Sequence, residues 1–247
     1  MATFDALADT YDDTFTNSHI GQAMRNAVWR RLEQHFHPGD RIIELNCGTG
    51  TDAQWLTNRG CQVLATDISP EMVARTANRG INTIILDAQN VRTLANEGPF
   101  DGALSNFGGL NCVEQIGAVA HGLWETIKPD GTAIVCIMGP AVPWEWAWYL
   151  AKGKPRQAFR RIRGKTTWRN TTIRYPTAKA AQTIFDPWFE TTRTWALGTL
   201  IPPSYAEPLA KRAPWLIRIL DRIERRIETT RLAVFFADHY VLELRRR

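Results

Sequence analysis

Along this chain the spacing of hydrophobic positions switches between two periods. Short β-branched runs at 41–46, 62–67, 83–87, 100–106 and 132–138 read as strands, and the stretches between them carry apolar residues at helical spacing. Helices are predicted over 52–59, 70–79 and 112–127. Ser69-Pro70-Glu71 opens the second of these with a capping hydroxyl followed by proline at the first helical position. His37-Pro38-Gly39-Asp40 and Lys128-Pro129-Asp130-Gly131 read as turns. Residues 3–36 read as helices: Phe4, Leu7, Ala8, Tyr11 and Phe15 recur at helical spacing, and Asn17-Ser18 caps a second helix through Val28, Trp29 and Leu32.

Strands alternating with helices predict an α/β, Rossmann-like fold, a parallel sheet with helices on both faces. The pattern loosens after residue 138. A helix is expected over 143–152, a strand over 166–175, a helix over 177–185 and a sixth strand near 189–195. An amphipathic helix follows, with Leu216, Ile219, Leu220, Ile223 and Ile227 on one face, and Asp238 to Leu244 reads as the last strand.

The chemistry concentrates at the strand ends. Arg41-Ile42-Ile43-Glu44-Leu45 turns through Asn46-Cys47-Gly48-Thr49-Gly50 into a helix near Asp52, the strand–loop–helix that brings backbone close to a nucleotide-like ligand. Asp67, 17 residues past Gly50, ends the second strand. A carboxylate there can accept hydrogen bonds from both hydroxyls of a ribose. A nicotinamide dehydrogenase is disfavoured, since the third glycine of its fingerprint would fall at position 53, which is Ala53.

Composition sharpens this reading at three points. The 247 residues suit one α/β domain with insertions. No apolar run is long enough to span a membrane and the N-terminus lacks a signal-peptide layout, so a cytoplasmic protein is expected. Cys47, Cys61, Cys112 and Cys136 lack metal-ligand spacing, so reduced thiols and no metal site are expected. The net charge of +5 is local: ten basic and no acidic residues lie between Lys152 and Lys179, and without them 20 basic residues face 25 acidic ones. A general nucleic-acid binder would more often spread such charge along a face or tail.

Six segments, in this order and spacing, resemble the class I S-adenosylmethionine-dependent methyltransferases, in particular the small-molecule branch of ubiquinone/menaquinone type. They are Phe4-Asp5 with Tyr11-Asp12; Glu44 to Gly50; Ala65-Thr66-Asp67-Ile68-Ser69-Pro70-Glu71-Met72; Leu86-Asp87-Ala88; Ser105-Asn106-Phe107-Gly108; and Leu123-Trp124 with Lys128-Pro129-Asp130-Gly131. The resemblance covers about residues 4–138 well and the final strand fairly. It implies a seven-stranded sheet with an antiparallel last strand, in one domain over 1–247. That domain would comprise a helical cap (1–36), a cofactor-binding core (37–138) and insertions (139–176 and 198–236) after strands five and six. One departure is Asn46, where the family usually has glycine; asparagine tolerates positive φ better than most residues.

The resemblance also implies roles for residues at an S-adenosylmethionine site. Gly48 and Gly50 would admit the methionine part, beside Asn46, and Glu44 would hold its ammonium. Asp67 would take the ribose, Ile68 and Met72 the adenine faces, and Asp87 and Ala88 the adenine edge. Asn106 and Phe107 would border the sulfonium, and Tyr11 would cap the site.

Ligands of open parallel sheets sit outside the carboxyl ends of the strands, and both insertions leave from such ends. They are therefore expected to form a lid over a small, hydrophobic or lipid-like acceptor, with an anionic group as an option that the basic run would suit, and Trp144, Glu145, Trp146, Trp148 and Tyr149 are pocket candidates. His19 and His239 can reach that edge and are the candidate general bases. Basic and aromatic residues over 152–179, together with the Arg-flanked helix 215–227, suit peripheral contact with an anionic membrane. A nucleic-acid methyltransferase and a non-catalytic cofactor-binding partner stand as alternatives. Acceptor identity, the atom methylated and oligomeric state stay open.

Overall fold

A computed structural model describes Asp5 and residues 11–247, so the helical turns expected at Phe4, Leu7 and Ala8 lie outside the described residues. Strands β1 (Arg41–Leu45), β2 (Gln62–Asp67), β3 (Asn82–Ile85), β4 (Phe100–Ser105) and β5 (Ile127–Met138) pair in parallel. Two more, β8 (Phe189–Leu197) and β9 (His239–Arg246), complete a seven-stranded sheet of order β3-β2-β1-β4-β5-β9-β8. β9 is antiparallel to both neighbours, so β8 runs with β5. The expected fold class is observed, including the reversed last strand.

Because successive strand residues point to opposite faces, each strand feeds two cores. Ile42, Leu104, Ile134 and Val241 pack on one face with α1 (His19–His35) and α2 (Thr51–Asn58). Ile43, Ala103, Val135 and Leu242 pack on the other with α4 (Ile116–Thr126) and α7 (Ala178–Phe185). Ser18 caps α1 by accepting from the Gly21 N–H, and Ser69 caps α3 (Pro70–Ala77) by accepting from the Met72 N–H, as the sequence implies.

Several boundaries shift for local reasons. The helix expected to start at 112 starts at Ile116, because Gly109–Cys112 forms a tighter turn first. Lys128 to Gly131 is an irregularity inside β5, with Asp130 at φ 61°, rather than a turn preceding it. The strand expected over 166–175 is a hairpin of β6 (Lys165–Trp168) and β7 (Thr171–Arg174), reversed at Arg169 and Asn170, both at positive φ.

The first insertion also holds α5 (Pro143–Ala151) and α6 (Pro155–Ala158), and the second holds α8 (Glu207–Arg212), α9 (Pro214–Ile227) and α10 (Arg231–Phe236). In register, Met138, His239 and Leu197 stand side by side, so both insertions leave one edge of the sheet. The apolar face read for α9 is split: Leu220 and Ile227 pack partly buried against the core, whereas Leu216, Ile219 and Ile223 stay exposed. Ile217 and Glu224 turn inward, and the Glu224 carboxylate accepts from the N–H groups of Gly198, Leu200 and Ile201. Three orphan backbone donors in one loop outcompete the apolar stripe for the inner position.

Candidate functional site

Outside the carboxyl ends of β1, β2, β3 and β4 lies a cavity of about 260 Å³. Its floor is Asn46, Gly48, Asp67, Asp87 and Asn106, and its apolar walls include Ile68, Met72, Phe107, Val113 and Met138. Ile173, from β7, closes one side. A smaller recess continues beneath the first loop, lined by Tyr11, Arg25, Glu44, Thr49 and Asp52. Eleven of the twelve residues read from sequence as cofactor-binding line one or other of these spaces: Tyr11, Glu44, Asn46, Gly48, Asp67, Ile68, Met72, Asp87, Ala88, Asn106 and Phe107. Gly50 lines neither.

The first loop has this shape because its residues tolerate left-handed backbone. Asn46 sits at φ 55°, Gly48 at 55° and Gly50 at 78°, so the asparagine itself adopts the left-handed backbone that the turn uses. A side chain at position 50 would meet Thr76 at 2.6 Å, so Gly50 lets the loop close onto α3 instead of facing the cavity. Gly109 comes near from the opposite side: a Cβ there would lie 2.4 Å from that of Asn46.

Electrostatics divide the floor. Asp67 accepts from the Gly48 N–H at 3.0 Å and the Ser69 N–H at 2.9 Å; burial raises its pKa, and those two donors pull back against it. Asp87 accepts from the backbone and side-chain N–H groups of Gln89, both at 3.0 Å, and still lines the cavity. Glu44 is buried with one carboxylate oxygen unpartnered. Burial pushes its pKa well above the carboxylate range, the Asp52 charge adds to this, and Arg25 opposes it. A buried acid with an unpaired oxygen beside a recess suits a cationic ligand group. Burial also lifts the Cys112 thiol at the cavity wall to about 11, so it stays protonated at neutral pH.

A charged cluster that no local motif announced sits under the recess. Asp52, in the first turn of α2, accepts from Arg25 Nη1 at 2.5 Å, Trp29 Nε1 at 2.7 Å and Asn106 Nδ2 at 2.9 Å. The Asn106 Oδ1 in turn accepts from the Phe107 N–H. The Arg25 guanidinium lies over the Phe107 ring, 4.8 Å from its centre. The only sequence signal for this cluster was a lone arginine among the apolar positions of α1.

The N-terminal segment folds over these groups. Asp12 accepts from Thr49 Oγ1 at 2.6 Å and Arg79 Nη2 at 2.9 Å, and Phe15 meets Phe107 edge-on at 5.0 Å. Burial raises the pKa of Tyr11, whose side chain borders both spaces.

The acceptor-side candidates fall elsewhere. None of Trp144, Glu145, Trp146, Trp148 or Tyr149 lines the cavity. Glu145 is buried between Arg160 and Arg161, at 2.8 and 2.7 Å, and Arg161 also reaches Asp238 at 2.8 Å. Two guanidiniums of the basic run are thereby spent on buried carboxylates, which is why α5 turns its acid inward. Trp148 and Tyr149 pack on Tyr205, and Trp146 packs between Phe159 and Phe236.

The two histidines also separate. His19 bonds Glu207 through Nδ1 at 2.9 Å and lines a different cavity, with Arg30 and Asp221. His239 is buried, its Nδ1 lies 3.1 Å from Asp238, and its ring meets Phe107 edge-on at 5.9 Å. Burial alone would raise the Asp238 pKa, but Arg161 and His239 hold it well below the carboxylate range.

Comparison with known proteins agrees with this geometry. Residues 42–131 match the family model described as a methyltransferase domain. The chain is 30% identical over 162 residues to a demethylmenaquinone methyltransferase of Mycobacterium sp. (strain KMS), covering 63% of this chain and 68% of that protein. It is 30% identical over 136 residues to the enzyme of that name from Mycolicibacterium gilvum (strain PYR-GCK), covering 54% of this chain and 57% of that one. The match thus spans little more than half the length of some of these relatives. Its fold resembles the S-adenosylmethionine-dependent methyltransferase of Mesorhizobium loti, with a TM-score of 0.54 and 18% identity over 93% of this chain and 98% of the other.

Proposed function

This chain belongs to the class I S-adenosylmethionine-dependent methyltransferases, and from that premise we propose that it methylates a small, hydrophobic, lipid-like acceptor whose head is a ring of quinol type. The observation that carries the proposal is the convergence of Glu44, Asp67 and Asp87 on adjoining spaces with otherwise apolar walls. The relatives' name supports the choice of acceptor class.

The residues fit the cofactor. The unpartnered oxygen of Glu44 suits an ammonium, and Arg25 in the same recess suits a carboxylate. Asp67 would accept from the ribose hydroxyls, Ile68 and Met72 would hold the adenine faces, and Asp87 with the Ala88 N–H would read its edge. Asn46, Gly48 and Gly50 shape the loop around the methionine part, and Tyr11 caps it.

When bound, the cofactor supplies a methyl group on a sulfonium, already activated for in-line displacement. The chain's own work is alignment, exclusion of water and electrostatic matching. Asn106 and Phe107 border the reacting end, and Met138, Val113 and Ile173 form the apolar wall against which an acceptor ring would lie. His239, which lines neither space but meets Phe107 edge-on with its Nδ1 3.1 Å from Asp238, is the proposed proton acceptor; His19 is committed to Glu207. The basic and aromatic residues of 152–179 support a membrane-peripheral location.

Methyl-labelled cofactor incubated with a demethylated naphthoquinol should give label that partitions into organic solvent. Label found instead in added RNA would favour the nucleic-acid reading, and no transfer to any acceptor would favour a non-catalytic partner.

Glu44 makes a further expectation. In the free protein its carboxyl keeps a proton to unusually high pH, and a ligand cation beside it favours the carboxylate. Binding should therefore release a proton, and affinity should rise with pH until Glu44 is ionised beforehand. Near pH 6 the free ligand's α-amine, with a pKa of about 7.7–8.0, is already charged. Calorimetry at that pH in buffers of differing ionisation enthalpy should show proton release in the wild type and none in Glu44→Gln.

A further inference from the structure

The surface of α9 and α10 carries an apolar stripe that the fold leaves uncovered. Trp215, Leu216, Ile219 and Ile223 are each exposed by 41–56%, on a helix whose inward side is Ile217 and Glu224. With 3.6 residues per turn, Trp215, Ile219 and Ile223 form one row along α9. Arg218, Arg222 and Arg226 form the adjoining row, and all three are exposed. None of these three has an ion-pair partner among the described residues. The acids of the helix are spoken for: Asp221 pairs with Arg30 and Arg225, and Glu224 with backbone N–H groups.

Exposed apolar side chains recur on the next helix. On α10, Leu232 is 72% and Phe235 52% exposed. Phe235 meets Phe236 at 4.9 Å, Phe236 meets Trp146 at 6.1 Å, and Trp146 meets Phe159 at 5.9 Å. This line of rings joins α10 to the first insertion, where Phe159 and Ile162 are exposed beside Arg156 and Arg163.

We propose that this face, with α9 as its principal element, is an interfacial surface that lies on an anionic lipid bilayer, the apolar row entering the acyl boundary and the arginine row meeting headgroup phosphates. An exposed apolar row flanked by unpaired cations is the charge and hydrophobicity pattern of a helix lying in the plane of a membrane interface. A second copy of the chain is the poorer occupant, because it would bring arginines against arginines. The lipid surface was expected over 152–179 with the Arg-flanked helix 215–227; the structure adds which row of α9 stays exposed and the exposed residues of α10, and both insertions rise from the sheet edge that carries the cavity. The proposal rests on the lipid-like acceptor reading for its purpose, while its evidence is independent of catalysis.

The test uses the full chain and sedimentation with vesicles of equal phosphatidylglycerol and phosphatidylcholine, against pure phosphatidylcholine. Binding to the anionic vesicles should be at least about tenfold tighter and should weaken with salt. Ile219→Ser with Ile223→Ser, on a solvent-facing row, should lower it about tenfold or more, and Arg218→Ala with Arg222→Ala should remove most of the preference for anionic lipid. No binding to anionic vesicles would overturn the proposal. So would equal binding by the Ile219→Ser/Ile223→Ser variant, or lipid-free self-association abolished by that variant. Calorimetry of S-adenosylmethionine binding should be unchanged in every variant, which shows that a variant losing vesicle binding has lost the surface and not the fold; absence of vesicle binding by the unsubstituted chain with intact cofactor binding condemns the surface alone. Vesicle binding without methyl transfer to a naphthoquinol condemns the acceptor reading alone.

Discussion

Asp67→Ala should reduce S-adenosylmethionine affinity by roughly two to four orders of magnitude. Two hydrogen bonds from a ribose to a carboxylate contribute about 1.5–3 kcal/mol each, and both would go at once. The substitution also strips the Gly48 and Ser69 N–H groups of their acceptor, which loosens the loop that borders the ligand. Calorimetry on the folded variant checks this, with circular dichroism to show that the sheet persists. Asp87→Ala sets the scale: one bond at the adenine edge predicts a loss of roughly one to two orders of magnitude. Near-wild-type affinity in Asp67→Ala would remove the ribose from that position and, with it, the orientation of the whole cofactor.

The second large effect concerns stability. Asp52→Ala should cost about 3–5 kcal/mol in unfolding free energy, because it leaves the buried Arg25 guanidinium without its counter-charge. It would also release Trp29 Nε1 and Asn106 Nδ2 from their acceptor. Denaturant unfolding measures the loss. Arg25→Met combined with Asp52→Leu should recover most of it, since replacing both partners with apolar groups of similar size leaves no buried charge unpaired. A single-variant loss under about 1 kcal/mol would mean that Arg25 finds water or another partner, contrary to its burial. Cofactor affinity should stay low in the double variant even where stability returns, because Arg25 lines the recess proposed for the cofactor's carboxylate. The two measurements thus separate scaffold from ligand.

The strand tips were readable in the linear chain. Glu44, Asn46, Gly48 and Asp67 lie where a β-branched run ends and a turn begins, a signal carried by a few neighbouring residues, whereas Asp87 and the separate role of each residue came from the family resemblance. Sheet topology then brought them together, since parallel strands with short crossovers put all their carboxyl ends on one edge. Asn46 shows how far local chemistry reaches: its tolerance of positive φ was predictable, and the loop takes that shape.

Other features were settled only by packing. Trp144 to Tyr149 looked like a pocket wall, yet Glu145 turns inward because Arg160 and Arg161, more than a dozen residues on, meet it there. The Arg25–Asp52–Asn106 cluster joins three elements whose residues stand 27 and 54 positions apart, and no periodicity links such positions. The inward face of α9 was chosen by three backbone N–H groups of a distant loop that needed Glu224. Local sequence determined which segments are strands, helices and positive-φ turns, because those choices depend on side chains within one or two turns of chain. Tertiary structure alone decided which polar groups pair and which apolar row stays in the open, because a buried charge selects its partner by proximity in space and at a cost that neighbouring residues cannot signal.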